Sequence, residues 1–299
     1  MVRPRGFCAG VVRAIDTVVR VLEQSGPPVY VRRAIVHNQH VVAELASKGA
    51  IFVDELDEVP MGGIVVFSAH GVSRRVERQA VQRELRAIDA TCPLVAKVHR
   101  EVENFVAEGY QVVLIGHAGH DEVEGTLGRA NSVRLVSSLA DVERLDFGDG
   151  DRIACVTQTT LIPGEIETIV MALRARFPRL VLPASDDVCY ATRNRQVGVR
   201  WLAERSDVVL VFGDRTSSNA HRLREVAADG CRAFLLGSIA DLDPAWLIDV
   251  EIVGITAAAS TPESIVRDAA DYFAERGATV SDELIELESI RFALPVLLP

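Results

Sequence analysis

Short apolar runs rich in β-branched residues alternate with stretches of helical periodicity along the whole chain. Val11, Ile15, Val18 and Leu22 recur at helical spacing between Gly10 and Gln24, and Ser-Gly-Pro-Pro then ends the stripe. Val29 to Val31, Ile51 to Val53 and Ile64 to Phe67 read as strands, with helices predicted between them over Gln39 to Ser47 and after them over Arg74 to Ala87. The alternation resumes after Cys92 and again after Cys189. This pattern predicts an α/β fold of small, mainly parallel sheets with helices on their faces. A length of 299 residues suits two or three domains, and the boundaries fall near the second and third cysteines, giving 1–92, 93–188 and 189–299. The three segments share no obvious sequence identity, so the repeat is one of architecture.

Polar residues gather where the apolar runs end. Ser68 and His70 follow IVVF; His117 and His120 follow VVLIG; Thr157, Gln158, Thr159 and Thr160 follow IACV; Ser217, Ser218 and Asn219 follow VVLVFGD; Thr256, Ser260 and Thr261 follow VEIVGI. In open α/β sheets ligands bind beyond the carboxyl ends of strands, so five such ends imply one converging polar pocket. Hydroxyls, imidazoles and helix starts without a lysine cluster suit a phosphate or diphosphate held by hydrogen bonds. No GxxxxGK[ST] and no strand-linked GxGxxG is present, which leaves a P-loop or dinucleotide fold without support. Glu122 and Glu124 are the acidic candidates for proton delivery, since burial beside negative charge would raise a carboxyl pKa toward neutrality.

A net charge of −10 excludes a general nucleic-acid binder. No apolar run approaches the roughly 20 residues needed to cross a bilayer, and Arg13 and Asp16 interrupt the N-terminal stretch before it could serve as a signal core. The expected location is the cytoplasm, where five cysteines read as metal ligands, catalytic groups or buried thiols and not as a disulfide frame.

Cys8, Cys92 and Cys189 stand 84 and 97 residues apart, each where a turn gives way to a helical pattern. Three thiolates suit a metal centre with one open position. Cys155 and Cys231 adjoin apolar runs and read as buried small hydrophobes. His70 and His120, in Gly-containing loops after strands, read as functional; His37 is as well explained by a helix cap; His99 and His221 read as structural or solvent-facing. Thr157 and Thr160 could simply satisfy backbone groups, and Ser217, Ser218 and Asn219 could be no more than an N-cap. Arg74, Arg75, Arg78, Arg193, Arg195 and Arg200 read as solvated helix faces.

Nine segments, RGFCAGVVRAI, IVHN, FSAHGVS, DATCPLVAKVH, GHAGHDEVEGT, TQTTL, DDVCYATRNRQ, TSSNAHRLRE and TAAASTPE, together with the ending FALPVLLP, resemble the LytB/IspH family in identity and order. The resemblance covers nearly the whole chain. It implies three α/β domains in pseudo-three-fold arrangement about a [4Fe–4S] cluster held by Cys8, Cys92 and Cys189, with the fourth iron left without a protein ligand. It implies a hydroxymethylbutenyl diphosphate substrate bound through His37, His70, His120, Ser217, Ser218, Asn219 and Ser260, with its hydroxyl at the open iron. The implied reaction is reductive dehydroxylation to isopentenyl and dimethylallyl diphosphate in the non-mevalonate isoprenoid route. Glu122 would supply a proton, Thr159 would position the hydroxyl and His120 would assist. Electrons would come from a ferredoxin or flavodoxin, because the chain carries no flavin or nicotinamide motif.

The chain departs from the family pattern at Val12, Asp121, Asp214 and Ala258, and begins so close to the first cysteine that a preceding strand is expected to be missing. These departures suggest a divergent paralogue. Three other readings share the cysteine arrangement. A non-redox open-iron hydro-lyase would need no electron donor, an iron–sulfur sensor would not need the His, Glu, Thr and Asn set, and a structural zinc site would want a fourth ligand.

Overall fold

The computed structural model describes residues 1–148 and 150–296; Leu297 to Pro299, the end of FALPVLLP, lie outside the described residues. The expected strands form, and all lie in parallel sheets. Ala50–Val53, Val29–Arg32, Ile64–Phe67 and Arg86–Asp89 make a four-stranded sheet in that spatial order. Val133–Val136, Gln111–Ile115 and Ile153–Thr157 make a second, and Arg232–Leu236, Val208–Phe212 and Val253–Ala257 a third. Every residue of Ile153–Thr157 and Val208–Phe212 is buried, as expected where both faces of a parallel sheet are covered.

The chain divides into two compact units. One comprises Met1–Val12, Val36–Glu44 and Tyr190–Arg291 and holds the third sheet. Its core gathers Val208, Leu210, Phe212, Ile255 and Val266, with the Phe234 and Trp246 rings stacked 4.0 Å apart against it. The other comprises Arg13–Ile35, Leu45–Cys189 and Phe292–Pro299 and holds the first two sheets. Alternation along Gln111–Ile115 sends Val113 and Ile115 into one cluster with Leu173, and Val112 and Leu114 into another with Val98 and Val102.

Four sequence expectations change. The helix expected over Arg74 to Ala87 runs only Arg74–Gln82; Glu84, at φ 55°, turns the chain into the edge strand Arg86–Asp89. That strand buries Ile88 alone, so it carries no apolar run to announce it. A strand does precede the first cysteine: Val2–Arg3 pairs in parallel with Glu283–Leu284. Cys155 is fully buried as expected, whereas Cys231 is half-buried. Arg74, Arg75, Arg78 and Arg200 are exposed, but Arg195 is buried at 1% exposure because Gly6 O, Ala191 O and Glu288 take up its donors.

Candidate active site

In the larger unit the polar residues lie directly past strand ends. Ser68 and His70 follow Ile64–Phe67, His117 and His120 follow Gln111–Ile115, and Gln158 and Thr159 follow Ile153–Thr157. The helix Asp121–Leu127 comes so close to the His70 loop that a Cβ on Gly125 would stand 3.1 Å from Gly71 O, and Gly71 itself is at φ +77° against the buried His99. This approach sets the His70 and His120 rings edge to face, 5.7 Å between centroids. Burial, then Arg129 and Arg74, push the His99 imidazole down to about 3, so it is a neutral packing group.

His120 caps that helix by accepting from Glu122 N at 3.2 Å. Glu122 is 3% exposed, and its carboxylate accepts from Thr159 N at 2.7 Å and from Thr159 Oγ1 at 2.9 Å. Burial raises its pKa to about 7 against the opposing pull of the two Thr159 bonds. Gln158, counted by the sequence among the strand-end polar residues but given no role, is 1% exposed and braces both loops, accepting from His117 N at 3.0 Å and donating to Thr160 Oγ1 at 2.9 Å. Asp121 pairs with Arg33, and its Oδ2 lies 3.9 Å from His70 Nδ1, so this acidic departure is built into the loop.

In the other unit Ser217 caps the helix Ser218–Ala228, accepting from Ala220 N at 3.3 Å, so the capping role is real for Ser217. Asn219, in the first turn, is 6% exposed, and neither its amide nitrogen nor its amide oxygen has a hydrogen-bond partner. A buried amide left unpaired costs roughly 1–3 kcal/mol, and both polar atoms of this side chain stand available for a hydrogen bond. Ser260, buried at 7% exposure, donates to His37 O at 2.9 Å. Asp214 accepts from Thr216 N, Thr216 Oγ1 and Gln39 N; burial raises its pKa, but these bonds outweigh it and hold the carboxyl below its usual range. Ala258 is fully buried.

The three cysteines share one local geometry. Cys8 N donates to Ala259 O at 3.2 Å, Cys92 N to Ala69 O at 2.9 Å and Cys189 N to Thr159 O at 3.0 Å. Each thiol-bearing residue is thus tied to a polar loop past a parallel strand, and each directly precedes a helix: Ala9–Ser25, Pro93–Ala107 and Tyr190–Ala203. All three are half-buried and outside any disulfide. Cys155 differs in kind, fully enclosed with its thiol pushed up by burial. Half-buried thiols at helix starts are a donor set suited to an iron–sulfur cluster.

Parallel α/β sheets with polar loops and helix-start cysteines beyond their strands define the class of protein. The family model described as LytB protein matches residues 1–274. The 4-hydroxy-3-methylbut-2-enyl diphosphate reductase of Acidothermus cellulolyticus is 52% identical over 99% of this chain and 88% of its own, and that of Chromohalobacter salexigens is 51% identical over 99% and 95%. The reductase structure from Plasmodium falciparum superposes with a TM-score of 0.95 at 37% identity, covering 98% of this chain and 94% of that one. The chain belongs to the LytB family.

Proposed function

We propose that this chain is a 4-hydroxy-3-methylbut-2-enyl diphosphate reductase, converting that substrate to isopentenyl and dimethylallyl diphosphate by reductive removal of its hydroxyl as water. Cys8, Cys92 and Cys189 would hold a [4Fe–4S] cluster. When bound, the cluster would supply electrons and Lewis acidity toward the substrate hydroxyl. A ferredoxin or flavodoxin replenishes the electrons.

The observation that carries this reading is the Glu122 carboxyl, buried, raised to about 7, and held by the same Thr159 whose carbonyl receives Cys189 N. A proton donor poised near neutral pH thereby sits one residue's contacts from a cluster ligand. Thr159 Oγ1, 2.9 Å from Glu122 Oε2, can pass that proton toward a departing hydroxyl and orient it. His120 fixes the start of the Glu122 helix through its ring nitrogen. His37, His70, His120, Ser217, Ser218, Asn219 and Ser260 hold the diphosphate, and the unpartnered Asn219 amide supports this set most directly. Binding energy from the diphosphate holds the allylic end in place for the chemistry.

The test is anaerobic reconstitution followed by assay with the substrate and a low-potential donor. Formation of both diphosphate products, strictly dependent on the reduced donor, is expected. No conversion with an intact cluster overturns the reading, and donor-independent loss of water to a different, unreduced product favours a hydro-lyase. Asn219→Ala raises KM by about tenfold or more while leaving iron content unchanged.

A further inference from the structure

Each helix that follows one of the three cysteines carries a cation five or six residues on, and that cation grips the backbone just ahead of another. Arg13, on the helix after Cys8, donates from a guanidinium nitrogen to Thr91 O at 3.0 Å; Thr91 is the residue before Cys92. Lys97, on the helix after Cys92, donates to Ser185 O at 2.8 Å, Asp186 O at 3.3 Å and Asp187 Oδ1 at 2.6 Å, the approach to Cys189. Arg195, on the helix after Cys189, donates to Gly6 O at 3.2 and 2.8 Å, two residues before Cys8. The order runs first to second, second to third and third back to first.

We propose that Arg13, Lys97 and Arg195 are positioning residues for the iron–sulfur cluster, an inference that rests on the cluster reading above. Each cysteine is then fixed from both sides: its own amide binds the loop past a strand, and the backbone before it is held by a charged side chain. A cation about one and a half turns into a helix is a stiff arm, because the helix fixes its base relative to the cysteine at the helix start. Asp187 extends one arm, accepting Lys97 through one oxygen and Thr157 N, at 2.8 Å, through the other. The bulk hydrophobic pattern has no use for these cations, since none contributes to an apolar core. Their shared contacts lie instead on the three cysteine approaches.

Groups that orient metal ligands typically change metal affinity by about ten- to a hundredfold when removed. Lys97→Met and Arg13→Met, reconstituted anaerobically as full-length holoprotein, should lose cluster absorbance in air about tenfold faster than the natural protein and show an altered electron paramagnetic resonance spectrum after reduction. Lys97→Arg should restore most of the cluster lifetime, since it returns a cation to the same place. Far-ultraviolet circular dichroism should stay unchanged in all three, separating ligand positioning from loss of fold. Arg195→Met is the third member; Arg195→Lys, which keeps the buried charge, guards against simple unfolding. Variants with the natural cluster lifetime and spectrum would overturn this inference alone. A natural protein that takes up no iron and sulfide would overturn the cluster reading and this inference together.

Discussion

Glu122 and Glu101 lie in the same compact unit, and both hold their protons up to about pH 7, by different means. Glu122 is raised by burial, and what restrains the rise is neutral: the amide and hydroxyl of Thr159. Glu101 is raised by burial and then by the neighbouring Asp187 carboxyl, while Lys97, 3.1 Å away, pulls it back. One carboxyl faces a hydroxyl that can carry its proton onward. The other is one side of an ion cluster whose lysine grips the Cys189 approach. The same shift in pKa therefore accompanies the proposed proton donor in one place and the proposed clamp in the other, and the surroundings distinguish them.

The largest effect that would sharpen this contrast is on turnover. Glu122→Gln keeps the size and hydrogen-bonding capacity of the side chain but cannot deliver a proton, so kcat should fall by roughly 10²- to 10⁴-fold with iron content unchanged. Unchanged turnover would remove Glu122 from proton delivery and reduce the two carboxyls to equivalent buried groups.

Next in size is the pH dependence of stability. A carboxyl raised from 4.5 to about 7 on folding favours the folded state while protonated, so its contribution is full below pH 4.5 and is lost as pH rises through 7. The natural protein should therefore lose on the order of 3 kcal/mol relative to Glu122→Gln across that window. Denaturation of both proteins at matched pH values reads the difference, and a flat difference would place the proton elsewhere.

Thr159→Val tests the restraint on Glu122. Removing the hydroxyl bond that favours the carboxylate should move the Glu122 pKa upward by roughly half a unit to one unit, and the alkaline limb of the kcat profile with it. A shift toward acid would mean that the hydroxyl favours the neutral acid instead.

Much of this was readable from residue order. The strands past which His70, His120 and Thr159 stand are apolar runs of four or five residues, and the cysteines sit at turn-to-helix junctions whose local chemistry is visible in sequence. Glu122 was legible as an acidic candidate, but its partner contacts were not, because Thr159 lies 37 residues away and the pair depends on two loops meeting. The edge strand Arg86–Asp89 was hidden by its own exposure. Arg195 looked like a solvated charge on a helix and Lys97 drew no reading at all, since periodicity says which face is apolar and nothing about which carbonyls a long side chain will find. Asp187 was quoted beside Cys189 without a role; its two bonds, to Lys97 and Thr157, span 90 and 30 residues of chain.

The smallest expected effect separates the two carboxyls most cleanly. Glu101→Gln removes one contact of Lys97, but Ser185 O, Asp186 O and Asp187 Oδ1 remain to hold the ammonium. The Glu101 and Lys97 side chains are 20% and 22% exposed, so water shares in their pairing. Stability should change by no more than about 1 kcal/mol, and turnover by no more than about twofold, because the clamp survives and no proton path runs through it. Melting temperature and kcat measured side by side with Glu122→Gln decide the matter. If Glu101→Gln cost as much turnover as Glu122→Gln, the distinction between donor and clamp would fail, and the raised pKa would have to be read as one coupled acid network running from Glu101 through Asp187 to Glu122, whose pKa Asp187 also raises.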